Sequence, residues 1–117
     1  MKRRVRFVSL VVLASVLASG CSARQENEKR LRKDLAMMRG AIDGYTVDKE
    51  QAPQSLQDLV NEGYLKEIPT DPITGRKDRV PEFSDTVLTP DQMTTGIADV
   101  HSNSTQLSGN GTAYNEW

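Results

Sequence analysis

The chain has 117 residues, with 15 Lys and Arg against 16 Asp and Glu, one His and one Cys. One cysteine excludes an intrachain disulfide and a cysteine-rich metal site. A chain this short makes one domain with a thin core.

Lys2, Arg3, Arg4 and Arg6 form a basic head, and Phe7 to Ala18 is apolar apart from Ser9 and Ser15. These are the n-region and h-region of a secretory signal peptide. The apolar run is about a dozen residues, short of the roughly 20 that a membrane-crossing helix requires. Directly after it comes Leu17-Ala18-Ser19-Gly20-Cys21, with the lone cysteine behind the only long apolar run. The segment is similar to the bacterial lipobox, with Ala18 standing where leucine is usual. That likeness implies cleavage before Cys21 and a diacylglyceryl group on its thiol. Two acyl chains make a durable anchor where one does not. The expected organisation is a signal peptide at 1–20, a lipidated tether at 21–25 and a globular domain at 26–117, with membrane lipid as a partner through Cys21. The location is then the extracytoplasmic face of a bacterial membrane, and Ser22 in place of an aspartate fits the outer membrane of a Gram-negative cell. Without residues 1–20, which hold four bases and no acids, 11 bases face 16 acids. A net charge near −5 argues against nucleic acid as a partner.

From Glu26 the spacing becomes helical. Leu31, Leu35, Met38, Ile42 and Tyr45 fall on one stripe, widened by Ala41, and predict a helix over about 27–47 that lies on its own domain. Glu26 with Arg30 and Glu28 with Arg32 have the favourable acid-before-base order. Ser55 and Asp58 make a capping-box-like pair for a short second helix carrying Leu56, Leu59 and Val60, which Gly63 can close. Tyr64, Leu65 and Ile68 then fold back over the first helix.

Pro69 to Gly75 has turn chemistry throughout. Asp71, before a proline, reads as a structural turn residue. Arg79 to Phe83 and Thr86 to Leu88 are expected as two short edge strands, since Pro81 and Pro90 exclude central sheet positions. Gln92 to Thr95 reads as loop, Ile97 to His101 as the best strand, and Ser102 to Gly111 as a polar surface loop. Tyr114 and Trp117 are expected to pin the end of the chain onto the fold.

The run Leu35 to Tyr45, followed by Asp48, Pro53, Leu56, Leu59, Val60, Gly63-Tyr64 and Pro69-x-Asp71-Pro72 with Gly75, resembles the major pseudopilin of bacterial type II secretion systems. Gly96-Ile97-Ala98-Asp99-Val100-His101-Ser102 is similar to that family's late strand, and Trp117 to a tryptophan near its end. The resemblance implies an α+β, pilin-like fold: an N-terminal amphipathic helix and a short second helix on a small antiparallel sheet. It also implies a structural or assembly role beside secretion-system or pilin-like proteins. A pseudopilin keeps its apolar helix and stacks through it, whereas processing at Gly20-Cys21 would discard this one. The family holds calcium in its C-terminal loop. Asp99 and Ser102 match, but 103–111 contains no acid, which leaves Asp99 as the candidate calcium carboxylate. Read from the residues alone, Asp99 and Ser102 order the turn by side-chain to backbone hydrogen bonds.

His101 has no neighbouring nucleophile, and neither a phosphate loop nor a paired-histidine motif occurs. The chain therefore reads as non-enzymatic, with His101 structural or exposed. The alternative to an assembly component is a free-standing lipoprotein that binds a ligand or protein through 77–95 and 102–111. A third reading, a true pseudopilin, requires the apolar segment to survive.

Overall fold

The computed structural model describes the backbone of residues 2–90 and 92–117. The side chains of 1–22, 86–89, 91, 92 and 94 are outside the described set, and the lipidation expected at Cys21 falls there. The fold is α+β. Helices α1 (Lys2–Lys49) and α2 (Leu56–Asn61) are followed by antiparallel strands β1 (Val80–Thr89) and β2 (Gln92–His101) and a 3-10 turn at Tyr114–Glu116. Among the described residues no helix is long and apolar enough to cross a membrane.

The stripe on α1 is the floor of the core. Leu31, Leu35, Met38, Ala41 and Ile42 are buried and meet Leu59 of α2, Leu65, Ile97 and Val100 of β2, and Tyr114. Burial of a leucine, isoleucine or methionine side chain contributes about 1.5–3 kcal/mol, so Leu31, Leu35, Met38 and Ile42 supply much of what a thin core can offer. The helix extends beyond the predicted 27–47 in both directions. Its predicted ion pairs are exchanged for others: Glu26 pairs with Lys29, and Glu28 with Arg24.

α2 forms as its caps predict. The Ser55 hydroxyl accepts from the Asp58 N–H at 3.2 Å, and the Asp58 carboxylate accepts from the Ser55 N–H at 3.2 Å. At the other end Gly63 has φ +82°, and the Tyr64 N–H donates to the Leu59 carbonyl at 2.8 Å while the Gly63 N–H donates to Val60. That Schellman closure favours a residue without Cβ. It turns Tyr64, Leu65 and Ile68 back onto the core, with Tyr64 edge-on to Tyr45 at 5.5 Å.

The sheet corrects the expectation most. The two short strands expected at 79–83 and 86–88 are one strand, and Gln92–Thr95 is not loop but the first half of β2. The polar residues that masked this pairing satisfy one another across it: Asp85 lies opposite Thr95, whose hydroxyl donates to it at 2.5 Å. The apolar residues of 97–101 that enter the core, Ile97 and Val100, break the two-residue period of a strand, and this has a cause. Glu82 pairs with Asp99 but Phe83 with Ile97, so Ala98 is an extra residue in β2. A bulge of this kind resets the two-residue period, which lets Ile97 and Val100, three apart, both face the core while Asp99 and His101 face away from it.

β2 is fastened to the connection between the helices. The Ile97 N–H donates to the Pro53 carbonyl at 2.8 Å, and a Cβ on Gly96 would stand 2.7 Å from the Ala52 Cβ and 2.8 Å from that same carbonyl. Only glycine admits so close an approach.

Candidate functional site

Two polar clusters lie on either side of β2. The first is buried. Asp71, fully buried in the Pro69–Gly75 turn, accepts from the Ile73 and Thr74 N–H groups through Oδ1 at 2.7 and 3.3 Å. Its Oδ2 accepts from the Ser102 hydroxyl at 2.6 Å and lies 3.7 Å from Arg79 Nη1. The Arg79 guanidinium, with no exposed side-chain surface, also reaches Asp34 Oδ2 on α1 at 3.4 Å. The buried guanidinium thus has carboxylate partners where water is excluded, as a buried ion requires. Arg79 Nε and Nη1 have no hydrogen-bond partner within the described residues. The cluster ties together α1, the turn, the start of β1 and the end of β2. Asp71 has the structural turn role expected of it. The loop expected at the surface over 102–111 is exposed at most of its positions, while Ser102, Ser104 and Ser108 within it are buried, their hydroxyls spent on internal bonds.

The second cluster is half-exposed and contains the sequence-predicted Asp99 and His101. From α1, Arg39 donates through Nε to Asp99 Oδ1 at 2.7 Å, and through Nη2 to the main-chain oxygens of Val100 at 3.1 Å and Trp117 at 2.7 Å. Asp99 Oδ1 also accepts from the Val100 N–H at 2.8 Å. Burial would push the Asp99 carboxyl up, but the Arg39 bond, the Val100 N–H and the nearby positive charge outweigh it and hold the group below its ordinary value. His101 places Nδ1 2.9 Å from the Trp117 main-chain oxygen and Nε2 2.8 Å from Glu82 Oε2, with Asp99 Oδ2 at 3.7 Å from Nε2. Here burial alone would lower the imidazole pKa; the bonds to Glu82 and Trp117 and the two carboxylate charges raise it instead.

Calcium needs six to eight oxygen ligands. Around Asp99 the first cation is a guanidinium, the next side chain is an imidazole, and the loop hydroxyls and amide of Ser102, Ser108, Asn110 and Thr112 bond to Asp71 or to one another. That donor set does not fit calcium. Asp99 and Ser102 instead order the chain, the first by capping Val100 and the second by accepting from the Ser104 N–H.

The aromatic end of the chain is anchored as expected. Tyr114 is buried and donates its hydroxyl to Glu28 Oε1 at 2.8 Å, while Glu28 also accepts from the Gly109 N–H at 2.9 Å. Trp117 is edge-on to Tyr114 at 5.1 Å, donates Nε1–H to Thr112 and lies 4.4 Å under the Arg32 guanidinium. Arg32 therefore stacks on a ring instead of pairing with Glu28. Arg32, Arg39, Asn110, Thr112 and Trp117 line an open groove of ≈ 470 Å³.

The sequence pointed to Asp99, Ser102, Asp71, His101 and Trp117 one by one; it gave no sign of Arg39, Arg79 or Glu82. The available signal was a basic residue at the edge of the α1 stripe and a carboxylate directly opposite Asp99, readable only once the hairpin register is known. Compared with protein-family models, with curated proteins and with solved structures, the chain matches none.

Proposed function

We propose that this chain is a non-enzymatic assembly component, a pseudopilin-like body held by lipid on Cys21 at the extracytoplasmic face of a bacterial membrane and docking to secretion-system or pilin-like proteins. The observation that carries this reading is the hydrogen bond from the Ser102 hydroxyl to Asp71. It joins the two separate motif blocks on which the resemblance rests, the Pro-x-Asp-Pro turn and the Gly-x-x-Asp-x-x-Ser strand end. Further support comes from the element order, in which an amphipathic helix and a capped second helix precede an antiparallel hairpin and an aromatic terminus. Docking then uses the globular face, because cleavage before Cys21 removes the apolar segment through which a pseudopilin would stack.

Purification of the full-length product from membranes in detergent tests both halves. An intact mass matching residues 21–117 plus acyl groups is expected, together with recovery of pilin-like or secretion-machine subunits. A mass that retains Phe7 to Ala18 removes the tether, and recovery of the chain by itself removes the assembly role. The groove under Arg32 and Trp117 favours a second reading, a free-standing binding lipoprotein. In that case shortening the 102–111 loop abolishes ligand capture and leaves no secretion phenotype.

A further inference from the structure

Glu82, Asp99 and His101 stand on one face of the hairpin because Glu82 is the cross-strand partner of Asp99 and His101 lies two residues further along β2. One ligand atom from each lies within 4.8 Å of the other two. The His101 ring is oriented from behind. The Trp117 main-chain oxygen can only accept, so Nδ1 at 2.9 Å carries a hydrogen and Nε2 is the nitrogen turned toward the carboxylates. Nε2 and Glu82 Oε2 are 2.8 Å apart. An ionised carboxylate and a ring lone pair hold that distance only across a positive species, either a proton or a metal ion. Histidines that ligate metals are fixed in this manner, with the far N–H given to a carbonyl oxygen.

We propose that Glu82, Asp99 and His101 form a binding site for a divalent transition-metal ion of the zinc class, which clamps β1 to β2 at their base. Zinc takes nitrogen and carboxylate oxygen at about 2.0–2.2 Å in tetrahedral geometry, which sets its ligands about 3.4 Å apart. The separations from His101 Nε2, 2.8 Å to Glu82 Oε2 and 3.7 Å to Asp99 Oδ2, lie on either side of that value. Arg39 occupies Asp99 Oδ1, leaving Oδ2 for the ion. The partly exposed Glu82 side chain opens the site to solvent, which provides an entry path and a water for the fourth position. An imidazole among the donors selects this class over calcium or magnesium, which take hard oxygen. The proposal does not depend on the assembly role.

His101 is the only histidine, so its ¹⁵N resonances report on one ring. Full-length protein in detergent, stripped with chelator, is titrated with zinc alone and followed by calorimetry and ¹⁵N NMR. Saturable binding of one ion per chain is expected, with the Nε2 resonance moving to its metal-bound position and millimolar calcium failing to compete. Glu82→Gln and Asp99→Asn should each weaken binding at least tenfold, while Cys21→Ser leaves it unchanged. Glu82 is exposed, so its substitution leaves folding intact and the comparison readable. An unmoved imidazole, undiminished binding in Glu82→Gln, loss of binding in Cys21→Ser or displacement by calcium would each overturn the assignment.

Discussion

The two ionic clusters flanking β2 have similar chemistry and opposite surroundings. In one, Arg79 and Asp71 are sealed from water; in the other, Arg39 and Asp99 each keep more than a third of their side-chain surface exposed. The bond lengths alone would mislead, because the exposed pair is at 2.7 Å and the sealed pair at 3.7 Å. Desolvation decides their weight. An exposed pair shares its attraction with solvent and salt, whereas a buried charge that loses its partner has no water to turn to.

The largest expected effect comes from breaking the sealed cluster. Asp71→Ala should cost about 3–5 kcal/mol, read as a fall in the urea midpoint, because Arg79 is left with Asp34 as its one acid and two turn N–H groups lose their acceptor. Ser102→Ala removes one hydrogen bond to a carboxylate and leaves both ion pairs in place; a loss of about 1–3 kcal/mol is expected. For the exposed cluster, a double-mutant cycle with Arg39→Met and Asp99→Asn should give a coupling below about 1 kcal/mol. A coupling there as large as the Asp71 effect would break the comparison. The smallest effect sharpens it through a third contact. Gly109 N–H first, and then the Tyr114 hydroxyl, hold the Glu28 carboxyl below its ordinary value. The stability this adds is present above the unfolded-state pKa and disappears as pH falls through the lower folded value. Melting temperatures across that acidic window should fall more steeply for the native chain than for Glu28→Gln.

The helices were legible because their determinants are local: the α1 stripe repeats every three or four residues, and the α2 caps lie within eight positions of each other. Tyr114 and Trp117 were legible from size alone. The hairpin was not, because a strand in a two-stranded sheet with polar cross-strand partners lacks the apolar alternation that reveals a half-buried strand. The bulge at Ala98 erased the period where it would have been strongest. Both polar clusters rest on pairs that are far apart in sequence, 31 residues for Ser102 with Asp71, 45 for Arg79 with Asp34 and 60 for Arg39 with Asp99. Composition could show that these charges existed but not which would meet, nor that Arg79 would be drawn inside.

The near-contact of Gly96 with Ala52 and Pro53 divides the hairpin mechanically. Below that point the strands are bolted to the helical layer; beyond it the paired arm carries the exposed Met93. Grafts or labels belong at a position such as the exposed Met93, on the far side of Gly96 from the core residue Ile97. The same addition at Gly96 would pry the arm from its mounting.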